Sequence, residues 1–370
     1  MNDLDKRLKD SLMAVRDSYA DQREEDRVEA RTRFIERYRF RRRLWTAGSV
    51  VVVGTALVAG LLFTNGRFDL FADRAPDQDL AGKLPKGVIS AVVTGSEPVD
   101  SGIRLGQVWV ANAGDSNVVH VDPSLDRVVA EIPLDGAPQE VDVGQENIWV
   151  AGFGRVTAID PATDEVIGSA QVGEVDDSIS VSVGEGFVWA IVDESRLLKV
   201  DPATYEAEAV AATTAPVDVA ARDGSVWVLD RERGLMRLDP VTTELVTEPA
   251  VTFRRRSADI SAGGGVVWVA SETDDTVIRF TAEGSTPPGT FQVSGTYVDM
   301  AVSESIVWVL SRSGDRSILT ALDPRTLRAL GEPLELVGDP VEVSSGGGDV
   351  WVTARAAGAI LRIDSASVAR

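Results

Sequence analysis

Seven copies of one short phrase run through this chain. QVWVAN, NIWVAG, FVWAIV, SVWVLD, VVWVAS, IVWVLS and DVWVTA place Trp109, Trp149, Trp189, Trp227, Trp268, Trp308 and Trp351 at successive intervals of 40, 40, 38, 41, 40 and 43 residues. A period of roughly 40–45 residues is what a four-stranded propeller blade needs, and a blade cannot bury its faces alone, so the sheets must stack around an axis. An indole at mid-strand, mostly between Val or Ile neighbours, fits burial between adjacent sheets, so the seven tryptophans are expected to be core and not ligand stackers. The expected fold class is all-β, a seven-bladed β-propeller of four-stranded blades.

Each unit reads the same way, for example PQEVDVGQ, NIWVAGF, RVTAIDP and EVIGSAQV in the second. Short runs alternate apolar with other residues and are punctuated by Gly, Asp and Pro, which is the chemistry of strands and turns. The turn between the third and fourth runs is Asp122-Pro123, Asp160-Pro161, Asp201-Pro202, Asp239-Pro240 or Asp323-Pro324, with Phe280-Thr281 in the fifth unit and Asp364-Ser365 in the seventh. Aspartate caps such a turn and proline presets its first central residue. The seventh unit stops after three runs, whereas Gly87 to Thr94, GVISAVVT, stands as an extra strand before the first. The propeller is therefore expected over 87–370, closed by strand 87–94, which removes two raw sheet edges.

Ahead of it lies a different kind of sequence. Residues 1–43 hold 13 Lys/Arg against 10 Asp/Glu, and Leu4, Leu8, Leu12, Val15 and Tyr19 make one narrow helical stripe. This segment reads as a solvated helix or as a docking helix for a cytoplasmic partner. Residues 44–63, LWTAGSVVVVGTALVAGLLF, are uncharged and long enough to cross the roughly 30 Å hydrocarbon layer as one transmembrane helix. Arg37, Arg39, Arg41, Arg42 and Arg43 precede it, so the positive-inside rule puts the N-terminus in the cytoplasm and the propeller outside, in a single-pass cell-membrane arrangement. Residues 64–86 read as an acidic extracytoplasmic linker. The chain beyond the span carries 24 basic and 48 acidic residues, a surface that repels phosphate backbones, so nucleic-acid binding is not expected.

Cysteine is absent and His120 is the one histidine, which excludes thiol chemistry and histidine-rich metal centres. The acidic residues are more suggestive. Nine positions before each tryptophan stand Asp100, Glu140, Ser180, Asp218, Asp259, Asp299 and Glu342, preceded two residues earlier by Pro98, Pro138, Pro216 or Pro340 in four units. This is the start of the innermost strand, so the ring's symmetry carries the side chains to one channel mouth. Converged carboxylates suit a divalent cation or a Lys- or Arg-rich ligand; they equally suit capping of backbone amides at each blade crossing. A divalent cation at that mouth is the one cofactor the sequence suggests. Charged loops on the same face, among them Asp230 to Arg233 and Arg312 to Arg316, and the basic run Arg254, Arg255 and Arg256 are candidates for partner contacts.

The VWVAN phrase, the V-x-x-DP-x-T corner and the P-x-D/E step resemble the YVTN and virginiamycin B lyase group of bacterial seven-bladed propellers, over roughly residues 87–365. The resemblance implies the fold and, through the sensor propellers of bacterial membrane kinases, an extracytoplasmic binding role. The lyases of the group rely on histidine and a divalent metal, and one histidine cannot reproduce that site. The Arg-rich tail followed by a single span is similar in layout to actinobacterial membrane regulators such as anti-sigma factors. The expected function is a membrane-anchored module binding a protein or envelope ligand without catalysis. The alternative is an extracytoplasmic lyase or hydrolase using the channel-mouth carboxylates.

Overall fold

The computed structural model describes residue 84 and residues 87–368, apart from 248–256, 272–273, 282–288 and 304. The N-terminal helix, the 44–63 span, most of the linker and Arg254, Arg255 and Arg256 lie outside the described residues. Among the described residues no helix is long and apolar enough to cross a membrane.

Seven antiparallel four-stranded sheets are present, and six of them use strands consecutive in sequence. The first blade comprises Pro98–Arg104, Gln107–Asn112, Asn117–Asp122 and Arg127–Pro133; the second comprises Glu140–Val143, Ile148–Gly152, Arg155–Asp160 and Glu165–Gln171. The seventh joins Pro340–Gly346, Asp349–Ala354 and Ala359–Asp364 to Val88–Val93, which pairs with the third strand from Val88↔Ile363 to Val93↔Ala359. The first strand of every blade packs on the first strands of both neighbours, so these seven form the innermost circle around the channel. Two faces result. A loop face carries the blade-to-blade crossings and the turns between second and third strands; a corner face carries the first-to-second turns and the Asp-Pro corners.

Burial follows from this layering. Second and third strands are covered on both sides by neighbouring blades and read as near-continuous apolar runs, whereas the outer strand Arg127–Pro133 alternates exposed with covered residues. The seven repeat tryptophans are between 0 and 7 % exposed. Each indole meets a small residue on the inner strand in six blades, Gly102, Ser182, Ala220, Ser261, Ala301 or Ser344, because the sheets converge toward the axis; the second blade has Asp142 instead. Gly184 is the tightest point of this circle, since a Cβ there would run into the Ala221 carbonyl of the next blade.

In four blades the third-strand residue paired with the tryptophan bridges to the next blade. Lys199 lies 3.7 Å above the Phe187 ring and donates to the Val241 carbonyl (2.8 Å) in the next corner. Arg279 donates to Pro324 O (2.9 Å), and Arg362, 5.5 Å from the Trp351 ring, to Pro123 O (2.8 Å). His120 stacks on Trp109 at 4.5 Å and meets Asp164 at 3.0 Å. In the blades that carry Ala158 or Ala321 at this position, the next corner supplies the covering group: Tyr205 packs on Trp149 at 6.0 Å, and Val368 joins the cluster around Trp308.

The corners work as their sequence suggests. Asp239 Oδ1 accepts from Val241 N (2.9 Å) and Thr242 N (2.8 Å), and Thr243, left-handed at φ 60°, closes the turn onto the Asp239 carbonyl. Asp201 and Asp323 repeat this geometry.

Candidate functional site

The P-x-D/E step is a bulge. In five blades the ladder between inner and second strands slips at this step, between Pro98 and Asp100, Pro216 and Asp218, Ser257 and Asp259, Tyr297 and Asp299, and Pro340 and Glu342. Proline cannot donate to the ladder, and the extra residue re-aims the acidic side chain along the circle toward the next blade.

What the side chains meet there is consistent around the ring. Val141 N donates to Asp100 (2.6 Å), Val181 N to Glu140 (3.1 Å), Ile260 N to Asp218 (2.8 Å) and Val343 N to Asp299 (2.7 Å), each from the following blade. Three junctions use hydroxyls instead: Ser180 Oγ donates to Asp218 (3.2 Å), Tyr297 Oη to Asp259, and Ser101 Oγ to Glu342 (2.9 Å). All seven junctions between blades are thus clasped at the acidic position. Ser180, the one position without a carboxylate, serves as the donor that its neighbour needs.

The ring nevertheless concentrates like charge. Asp100, Glu140, Asp218, Asp259 and Asp299 are half-buried against the channel and Glu342 is 9 % exposed. Burial pushes the Glu140 carboxyl well above the usual range, reinforced by Asp100 and Asp218. Asp218 is raised by burial and by Asp259, and Asp299 by burial, Asp259 and Glu342. Glu342 is raised by burial and Asp100; Asp259 rises less, because Tyr297 and its neighbouring carboxyls donate to its charged form. Among the described residues no guanidinium or ammonium group is a leading influence on these five carboxyls. Taking a proton is then the favourable way to hold several carboxyls so close.

Hydrogen-bond donors converge on the oxygens that a cation would require free. Among the described residues no three His, Asp or Glu side chains are arranged to hold a metal ion. The donor set does not fit the divalent cation expected from the sequence. Several loop-face charges are likewise capped or paired. Asp230, 1 % exposed, accepts from the backbone N–H of Thr214 (2.8 Å), Ala215 (2.9 Å), Glu232 (3.0 Å) and Arg233 (2.9 Å). Arg231 pairs with Glu194, and Arg312 with Asp339 at 2.5 Å.

Three members of this region carry no signal in the repeat pattern. Asp142, two residues beyond Glu140 and so on the same strand face, caps Val183 N (2.6 Å) of the next blade, and burial raises its carboxyl despite Arg222. Tyr297 is hidden by being a lone aromatic outside the repeat phrase. Thr353, whose hydroxyl reaches Glu342 at 2.5 Å, reads as an ordinary strand residue.

No protein-family model matches the chain, and none of the curated proteins compared with it by sequence is significantly similar. Solved structures are similar in fold. A streptogramin B lyase superposes with a TM-score of 0.61 at 14% identity, covering 75% of this chain and 95% of its own. A catalytically inactive histidine-to-alanine variant of virginiamycin B lyase from Staphylococcus aureus, with Quinupristin, superposes with a TM-score of 0.61 at 10% identity, covering 73% of this chain and 96% of its own. A chain of the Mitotic Checkpoint Complex gives a TM-score of 0.63 at 10% identity over 85% and 99%. The fold is a seven-bladed propeller of a kind shared by lyases and by binding scaffolds.

Proposed function

We propose that this chain is a non-enzymatic propeller, tethered by the 44–63 span, whose loop face binds a protein or envelope ligand outside the cytoplasm. One observation carries the non-catalytic part: every position of the acidic ring is engaged in clasping one blade to the next. A glycosidase-type pair needs one carboxylate free as nucleophile or base and a second placed as acid. His120 offers no substitute, since it is buried against Trp109 and its nitrogens meet Asp164 and Gln107 at 3.0 Å each. The catalytically inactive variant of virginiamycin B lyase carries alanine in place of a histidine, whereas the histidine of this chain is held on three sides by structural contacts.

The binding part rests on the loop face, where connections are exposed and differ from blade to blade. Placement outside the cytoplasm rests on the hydrophobic span and its arginine flank. Because the chain has no cysteine, Glu165→Cys gives one thiol on an exposed outer strand. The expected result is labelling by a membrane-impermeant maleimide in intact cells. A photo-reactive residue at Asp315, on the loop face, should yield a discrete protein or glycan adduct, and one at Thr163, on the corner face, should not. Labelling only after permeabilisation would sink the topology, and equal adducts from both faces would sink the binding surface.

A further inference from the structure

The second blade differs from the others at the loop face. Its turn between second and third strands is only Phe153-Gly154, closed by the Gly152↔Arg155 pair. The corresponding turns of the other blades carry charged residues, Asp115, Glu194, Arg231, Asp275, Asp315 and Arg355, and none carries an aromatic. Phe153 is held at φ 55°, a left-handed conformation that glycine would adopt without strain. Its ring lies directly on Gly136 in the crossing from the first blade, where any Cβ would collide with it. Gly152 is equally constrained, since a Cβ there would stand 2.6 Å from the Ala137 carbonyl.

Beneath this short turn the outer end of the first blade and the facing side of the second leave a cleft of about 190 Å³. Leu134, Phe153 and Val166 form apolar walls, Thr157 and Ser169 a polar floor, and Arg155 one side. Arg155 Nη1 donates to Asp135 (2.9 Å), while its buried Nε has no acceptor. The pair is lopsided, with the Asp135 side chain 77% exposed and that of Arg155 32%. Small-molecule sites run to roughly 300–1,000 Å³, so this cleft has room for a single side chain of a larger ligand. An apolar pocket beside a guanidinium whose Nη2 has no partner among the described residues matches a branched or aromatic side chain next to a carboxylate, because guanidinium–carboxylate pairing is the strong, directional contact available; the buried Nε is out of a ligand's reach.

We infer that the Phe153–Arg155 cleft is an anchor pocket for an extended partner peptide, taking one large apolar side chain while Arg155 takes the carboxylate of an adjacent Asp or Glu. The inference rests on the binding reading above and names the partner chemistry for it. Asp135 holds the guanidinium in place from the solvent side. The strained turn keeps the aromatic wall upright over the crossing.

The test uses the full chain in lipid nanodiscs and three probes, acetyl-Phe-Glu-amide, acetyl-Phe-Gln-amide and acetyl-Ala-Glu-amide, followed by saturation-transfer NMR. The first should bind about tenfold more tightly than either of the others. Arg155→Met should erase the Glu-over-Gln preference. Phe153→Gly should erase the Phe-over-Ala preference while leaving Tm unchanged or raised, a readout that a purely structural phenylalanine would not give. Gly136→Ala, which displaces the ring, should block the first probe. Equal binding of all three probes, or preferences that survive both Arg155→Met and Phe153→Gly, would overturn the pocket. If the probes fail while adducts still form from Asp315 in cells, the pocket falls and the binding reading stands; if adducts fail as well, both fall.

Discussion

Aspartate recurs in two places in this molecule, and the same side chain behaves oppositely in them. At the corner face Asp122, Asp239 and Asp323 are held below the usual carboxylate range by hydrogen bonds from their own turns, in contact with solvent. At the channel mouth Asp218 and Asp299 accept comparable bonds, yet burial and neighbouring carboxyls raise them well above it. Asp230 separates the causes. Burial opposes its charge too, but four backbone donors outweigh burial and its carboxyl is lowered. What raises the ring is therefore burial that too few donors offset, with the crowding of like charge added to it.

The largest expected effect tests the donor count. Asp230→Ala takes the shared acceptor from four backbone N–H groups at a buried position and should cost about 2–3 kcal/mol, read as a large fall in the denaturation midpoint. A loss no greater than that of an exposed loop residue would mean water replaces the carboxylate easily. The next effect is on pH. The raised ring groups bind protons more tightly folded than unfolded, so their contribution is fully present below the ordinary range near 4 and is lost as pH rises through the raised values. The lowered corner aspartates act with the opposite sign, losing their contribution as pH falls below that range. Tm should peak in weak acid and decline toward neutrality. Combining Asp218→Asn, Asp259→Asn and Asp299→Asn should flatten the decline; an unaltered slope would assign it to the general surface charge.

A single amide substitution made in both places gives a smaller but sharper contrast. Asp218→Asn removes a repelled charge and should stabilise at pH 8 by about 1 kcal/mol, whereas Asp239→Asn weakens a charged cap in open solvent and should lower the denaturation midpoint slightly. Equal signs in chemical denaturation would end the distinction. Smallest is Tyr297→Phe, which takes a donor from Asp259 and should cost about 0.5–1 kcal/mol, more at pH 8 than at pH 5.

The tryptophan interval, the Asp-Pro corners and the acidic position before each inner strand were all legible in the residues, because each is local chemistry repeated at a fixed period. Less legible was the use made of the acidic position. Both ligand binding and amide capping were open until the bulge after Pro98, Pro216 and Pro340 turned the carboxylates sideways into the next blade. Ser180 looked like an exception and is a donor in the same circle. The cleft at Phe153 left no signal beyond one aromatic in a short turn, since its other wall comes from a different blade.

Periodicity alone thus specified seven sheets around an axis, because apolar sheet faces repeated every 40 or so residues have nowhere to go but against one another. The state of each channel-mouth carboxyl and the existence of the cleft belong to the packed blades. The first depends on clasps between residues about one blade apart in sequence, the second on a crossing and a turn that only the packing of adjacent blades brings together.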